Sequence, residues 1–333
     1  MSLKVALLGG GSWGTTVASL VSRNAEVTLW ARDEVTVTEI NEQHTNEKYL
    51  PGAKLHVRLK ATADIKAAVE DADVIIMGVP SHVFRQVLES IKPYLPAAIP
   101  FVSLTKGLEH NTGMRMTEII NEVFPGYPAG VLTGPNLARE IMAGQAAASV
   151  IAMDDEAIAH QLQAVFRSGL FRVYTNDDVI GCELGGVLKN IIAIAVGMGD
   201  GQGAGDNTRS ALITRGLAEV TRLGVAMGGH AETFAGLAGM GDMIATCTSS
   251  QSRNRHVGVE LGKGLNIEEI IEQMVMVAEG VKSAPAVIAL ADKYQIEMPI
   301  ARDVYRVVYE GGTARQAYRG LLRVAPGAES EPG

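Results

Sequence analysis

The chain has 333 residues, enough for two domains with separate cores, and its 47% hydrophobic and 20% charged content argues against extended disorder. The formal net charge, 29 basic minus 37 acidic residues or -8, provides no general basic field for nucleic acid or an anionic membrane, so an anionic substrate needs local cations. The two cysteines, Cys182 and Cys247, fit a reducing compartment better than a disulfide framework, and His82, His110 and His256 lack metal-ligand spacing, so no metal site is expected.

In chain order, Lys4 to Leu8, Glu26 to Trp30, Val74 to Val79, Pro100 to Leu104, Gly130 to Leu132, Ala147 to Ala152 and Phe171 to Tyr174 read as strands. Helical spacing lies between them, as at Val83, Val87, Leu88 and Ile91, and at Ile158, Leu162, Val165 and Phe166. This alternation predicts an α/β fold, a Rossmann-type, mostly parallel sheet covered by helices. After about Asp178 the strand signals cease, and apolar periodicity continues at Leu188, Ile191, Ile192 and Ala195, at Leu212, Leu217, Val220 and Leu223, and from Ala301 to Val308. The expected organisation is a dinucleotide-binding domain over 1–180, an all-α substrate domain over 181–324, and a frayed tail over 325–333. The apolar helical half has the composition to support a homodimer, and burial inside one chain accounts for it equally. No cleavable leader is legible at the N-terminus, and runs such as Ile191 to Met198 fall short of the roughly 20 residues a membrane span needs. A cytoplasmic protein is expected.

Gly9-Gly10-Gly11-Ser12-Trp13-Gly14 satisfies G-x-G-x-x-G between a strand and a helical pattern, the context that gives this motif its value. Gly9 would allow the tight turn, Gly11 the approach of a pyrophosphate, and Gly14 close helix-strand packing, with the helix N-terminus facing the phosphates. Where an NAD-selective site carries an acid at the second strand tip, the chain reads Trp30-Ala31-Arg32-Asp33. Arg32 suits a 2'-phosphate, so NADP or NAD is expected, with NADPH favoured.

Four further segments carry chemistry. Ser103-Leu104-Thr105-Lys106-Gly107 puts a lysine just past a buried strand, at the sheet edge where open α/β folds bind ligands. Thr133-Gly134-Pro135-Asn136-Leu137-Ala138-Arg139-Glu140 reads as a strand end and a helix with proline in its first turn. In Glu183-Leu184-Gly185-Gly186-Val187-Leu188-Lys189-Asn190 the glycines share a helix face with Lys189; each costs about 1 kcal/mol against alanine, so something must come close, either a substrate or another helix. In the stretch Gly239-Met240-Gly241-Asp242 to Ser252-Arg253-Asn254-Arg255, Asp242 and Thr246 share a helix face, while Arg253 and Asn254 offer a forked cation and an amide to a phosphate. Alone, each admits a plainer account: a solvated lysine, a well-made helix start, a helix contact, a surface basic turn.

In this order the six motifs, with Gly239-Met240-Gly241-Asp242 and Ser252-Arg253-Asn254 counted separately, resemble the bacterial-type NAD(P)-dependent glycerol-3-phosphate dehydrogenases, almost end to end. The resemblance implies interconversion of sn-glycerol 3-phosphate and dihydroxyacetone phosphate, a small phosphorylated three-carbon pair, supplying phospholipid synthesis. It implies Lys189 as proton carrier, with Lys106 touching cofactor and substrate and Asp242 orienting both lysines. Gly134, Asn136, Asp242, Ser252, Arg253 and Asn254 are similar to substrate contacts; Ser12, Trp13, Arg32, Ala138, Arg253, Val277 and Glu279 are similar to cofactor contacts. Asn136 stands where the family is expected to carry serine or threonine. A lysine base must be brought down from its ordinary value near 10.4, and Lys106 nearby would do so. The rivals are a ketopantoate or 3-hydroxyacid reductase of the same architecture, and a dinucleotide sensor without turnover.

Overall fold

The computed structural model describes residues 3–95, 98–274 and 278–321. The described residues up to Thr105, with Met114–Val179, form one compact unit; Lys106–Gly113 and the described residues from Ile180 onward form a second. The segment Lys106–Gly113 lies inside 1–180 but packs with the helices, because Leu108 is buried in the helical core. The expected tail, 325–333, lies outside the described residues.

In the first unit, strands β1 (Lys4–Leu8), β2 (Glu26–Trp30), β3 (Lys60–Thr62), β4 (Val74–Met77), β5 (Phe101–Ser103), β6 (Ala129–Thr133), β7 (Ala147–Met153) and β8 (Phe171–Asn176) form one sheet in the order β3-β2-β1-β4-β5-β6-β7-β8. Every pairing is parallel except β6 with β7. Val5 to Leu8 are all buried, as befits a central parallel strand covered on both faces. One covering layer includes Val17 and Val21 with Leu162 and Phe166; the other includes Phe84, Leu88, Ile119 and Ile120. Strand order reverses between β1 and β4, the switch point where a doubly wound sheet leaves a crevice at its carboxyl edge. Strand β3 was not expected. Its three residues, Lys-Ala-Thr, bury Ala61 alone, so no run of apolar residues announces an edge strand this short.

The second unit is helical among its described residues. Its central helix, Val179–Gly201, has an apolar window of mean hydropathy 1.8 that is long enough to cross a membrane, but 94% of that window is buried inside the protein. It is a core helix, with the polar residues Glu183, Lys189 and Asn190 buried in it. The apolar periodicity is used within the single chain: Ile191, Ile192, Leu212, Val220, Val304 and Val308 share one core.

This helix touches Arg253–Lys263 backbone to backbone. A Cβ on Gly197 would stand 2.2 Å from the Arg255 carbonyl oxygen, and one on Gly262 would stand 2.5 Å from that of Met198. Glycines paired across the crossing, Gly197 with Gly258 and Gly201 with Gly262, permit that approach.

Candidate active site

At the end of β1 three glycines hold one loop for three reasons. Gly9 adopts φ +127°, where an L side chain is strained, and its Cβ would meet the Gly78 carbonyl oxygen at 2.5 Å. A Cβ on Gly14 would sit 2.2 Å from the Gly9 carbonyl oxygen, so the first helix packs against the loop only if this position is bare. Gly11 differs, because a Cβ there meets nothing within 4 Å. That open space lies beside the N-terminus of Ser12–Val21, whose first amides have no side-chain cap. The indole N–H of Trp13 is buried and lacks a partner among the described residues. Open space, uncapped amides and an unpaired donor fit an anionic dinucleotide at this loop. Asn46 braces the loop from behind: its amide donates to the Gly10 carbonyl at 3.0 Å and to Thr15 Oγ1 at 2.9 Å.

Past β2, Arg32 is exposed. Asp33 beside it is the N-cap of Glu34–Gln43: it accepts from the Val35 amide at 3.1 Å and from Thr36 Oγ1 at 3.1 Å, with Lys48 Nζ at 3.5 Å. The Thr36 hydroxyl, then the Val35 amide, hold its carboxyl below the usual range. The acid at this strand tip is therefore engaged by its own helix and by Lys48.

In the helical unit, charged side chains converge. Lys189 lies midway along the buried helix and is 6% exposed at its side chain. Its ammonium donates to Asp242 Oδ1 and to Thr246 Oγ1, both from the helix Asp242–Thr248. Asp242 Oδ2 accepts from Lys106 Nζ at 2.6 Å. A π-helical turn, Leu237–Gly241, delivers Asp242; a Cβ on Gly185 would stand 2.6 Å from the Ala238 carbonyl oxygen, so the bare position lets that turn lie against the central helix. Burial brings the Lys189 ammonium down to about 8; Asp242 opposes the shift and Lys106 adds to it. Two ammonium groups around one carboxylate give the cluster a net charge of about +1, a local attraction for anions in an acidic chain.

Beside this cluster, the Asn254 amide donates to Asn190 Oδ1 at 2.9 Å while its carbonyl accepts from the Gly280 amide at 2.9 Å. Ser252 caps Arg253–Lys263, accepting from the Arg255 amide at 3.2 Å. Arg253 follows in the first turn with its surface exposed. The protein around it lowers its guanidinium from its ordinary value, and Glu279 opposes that shift.

Sequence comparisons agree with this chemistry. The family profile for "NAD-dependent glycerol-3-phosphate dehydrogenase N-terminus" matches residues 4–159, and that for the C-terminus of the same family matches residues 178–319. The chain belongs to this family. A relative from Sphingopyxis alaskensis, glycerol-3-phosphate dehydrogenase (NAD(P)+) 2, is 67% identical over the full length of both chains. Glycerol-3-phosphate dehydrogenase (NAD(P)+) 1 of Mycobacterium tuberculosis is 55% identical, covering 98% of this chain and 96% of the relative. A crystal structure of glycerol-3-phosphate dehydrogenase from Coxiella burnetii shares 39% identity at a TM-score of 0.93, over 97% of this chain and 99% of that one. Membership of the glycerol-3-phosphate dehydrogenase family makes the chain an NAD(P)-dependent oxidoreductase and sets aside the readings as a ketopantoate or 3-hydroxyacid reductase and as a sensor without turnover.

Within this dehydrogenase, Lys106, Lys189 and Asp242 come together, and Gly9, Gly11, Ser12, Trp13 and Gly14 form one loop. Gly134 adopts φ +134° at the end of β6, and the Asn136 carbonyl accepts from Ser149 Oγ at 2.6 Å. Pro135 precedes the helix Ala138–Met142, whose N-cap is Leu137, and so is not in its first turn. Glu279 opens the helix Glu279–Tyr294, whereas Val277 lies outside the described residues. Two expectations change. Burial, ahead of Lys106, is the main cause of the lowered lysine, and Gly185 makes room for a turn of the chain. The sequence reading passed over Asn46, which lies 36 residues from Gly10 with no motif around it, and it gave Thr246 no contact with Lys189.

Proposed function

We propose that the chain reduces dihydroxyacetone phosphate to sn-glycerol 3-phosphate and catalyses the reverse oxidation, with NADPH preferred, in the cytoplasm. The observation that carries this reading is the buried Lys189–Asp242–Lys106 cluster, a proton carrier poised near neutrality beside a second cation. When bound at the Gly11 loop, the nicotinamide cofactor supplies or accepts the hydride. The protein's own residues handle the proton and the substrate.

In reduction, Lys189 protonates the carbonyl oxygen as C2 gains hydride; in oxidation its neutral form takes the proton from the C2 hydroxyl. Asp242 fixes both lysines, and its negative charge keeps Lys189 from falling further. Thr246 fixes a second direction at the Lys189 nitrogen. Lys106 holds a substrate oxygen, Gly134 contributes its backbone, and Arg253 with Asn254 holds the phosphate. Asn254 retains one amide hydrogen for that purpose, its other groups being spent on Asn190 and Gly280. The NADPH preference rests on exposed Arg32 and on an Asp33 engaged by Thr36, Val35 and Lys48, which leaves little to repel a 2'-phosphate.

Following NADPH absorbance with dihydroxyacetone phosphate, ketopantoate and a 3-oxoacid tests the reading. Turnover restricted to dihydroxyacetone phosphate is expected. Preferential turnover of either carboxylate substrate would overturn the substrate assignment, and equal kcat/KM with NADH would overturn the cofactor preference.

A further inference from the structure

Eleven residues beyond Lys189 on the same helix, Asp200 keeps only 8% of its side chain exposed. Each carboxylate oxygen receives one arginine fork. Oδ1 accepts from Arg209 Nε at 3.0 Å and Nη2 at 2.8 Å; Oδ2 accepts from Arg255 Nε at 2.8 Å, with Arg255 Nη2 at 2.7 Å. The three residues stand on three helices, Val179–Gly201, Asp206–Ala226 and Arg253–Lys263.

None of these groups belongs to the lysine cluster, yet Arg255 directly follows Arg253 and Asn254, and its amide is the one capped by Ser252. The turn Ser252–Arg253–Asn254 is thus tied to the helix bearing Lys189 on two sides. Asn254 reaches Asn190 on one side, and Arg255 reaches Asp200 on the other. Along the same helix crossing, the paired glycines bring the two backbones into contact and set their separation. Glycine contacts are short-range and undirected, whereas a forked arginine-carboxylate pair is directional and sets rotation and sliding.

We propose that Asp200 is a positioning residue for the phosphate end of the substrate, acting through Arg255 to set the Ser252–Arg253–Asn254 turn relative to Lys189. This rests on the assignment of that turn to the substrate phosphate. Asp200→Asn keeps the size of the side chain, but its NH2 group faces an arginine donor, so one fork is released. Arg255→Lys keeps the charge and loses the fork. Arg209→Lys loosens the other fork, on a helix that does not carry the turn.

The test measures KM and kcat for dihydroxyacetone phosphate, kcat/KM for unphosphorylated dihydroxyacetone, and inhibition by inorganic phosphate, in parent and variants. Asp200→Asn and Arg255→Lys should raise KM for dihydroxyacetone phosphate about tenfold or more, on the scale of one charge-assisted hydrogen bond, and weaken phosphate inhibition in proportion. Reduction of unphosphorylated dihydroxyacetone and NADPH affinity should stay near the parent values. Arg209→Lys should show a smaller effect on KM. Equal losses with both substrates, or phosphate inhibition unchanged in Arg255→Lys, would overturn the proposal and leave Asp200 a fold residue. If Asp200→Asn does not fold, Arg255→Lys decides alone. Failure of the parent to reduce dihydroxyacetone phosphate would instead overturn the proposed function, a separate and visible outcome.

Discussion

The glycine loop of the sheet unit and the lysine cluster of the helical unit reach their chemistry by opposite means. At the loop, the feature is what is left out: bare positions bring backbone amides to an open space, where an anion would be met by dipoles that carry no net charge. In the cluster, side chains are forced together, and burial lowers the proton affinity of Lys189. The loop is written in six consecutive residues, whereas Lys106, Lys189 and Asp242 are separated by tens of residues and meet only after the helices pack. A backbone site should therefore be damaged by adding atoms, and a side-chain site by removing them.

The largest expected effect is on the cluster. Lys189→Ala should lower turnover by about 100-fold or more, the scale of a lost general acid or base, while NADPH affinity measured by fluorescence stays unchanged. Near-parent turnover would remove Lys189 from the proton step. The parent enzyme should carry the matching pH signature. With Lys189 brought down to about 8, kcat/KM for glycerol 3-phosphate oxidation should rise with pH until that range is passed, because the neutral amine is the base. Reduction of dihydroxyacetone phosphate needs the protonated amine and should fall above the same range. A reduction profile flat beyond pH 9 would contradict this.

At the loop, the three glycines separate stability from binding. Gly11→Val adds atoms into open space and should leave thermal unfolding near that of the parent while weakening NADPH at least tenfold. Gly14→Ala should instead destabilise the fold, since its Cβ would sit 2.2 Å from a carbonyl oxygen. If Gly11→Val retained full NADPH affinity, the pyrophosphate could not lie against that position. Next in size, Arg32→Ala should weaken NADPH about tenfold and leave NADH nearly unaltered, as a lost charge-assisted hydrogen bond would. Equal weakening of both cofactors would show that Arg32 does not read the 2'-phosphate.

The smallest effect concerns a second buried ionisable group in the helical unit. Glu219 accepts from the amides of Ile300 and Ala301, capping Pro299–Tyr309 from a different helix, and burial raises its carboxyl to about 7 despite those amides and nearby Arg222 and Arg215. The folded state binds this proton more tightly than the unfolded chain does. Its contribution is therefore complete below the ordinary carboxyl range and is lost as pH rises through about 7. The difference in Tm between Glu219→Gln and the parent should shift in favour of the variant by about 2 to 4 °C from pH 5 to pH 8.5. A constant difference would mean that Glu219 does not titrate in this range.

Much of the architecture was legible in one dimension. Seven strands announced themselves as short β-rich runs, β1 and β4 buried on both faces and β8 alternating buried with exposed residues, and the glycine motif was readable because its geometry is a property of consecutive residues. Strand β3 was silent, since only one of its three residues is buried. The burial of Glu183, Lys189 and Asn190 in the central helix was silent too, because burial tolerates such polar residues only when partners are supplied from elsewhere.

By itself, the sequence determined the alternation of strand and helix, the glycine loop and the kinds of residue available for proton transfer, all local properties of the chain. Only the tertiary structure decided that burial, more than Lys106, lowers Lys189, that Gly185 is bare to admit the turn delivering Asp242, and that Asn254 spends its carbonyl on Gly280. It also decided that Lys106–Gly113 packs with the helices and that Asp200 gathers two arginines. Desolvation, close approach and hydrogen-bond partnership depend on distances between residues remote in sequence, and those distances exist only once the chain has packed.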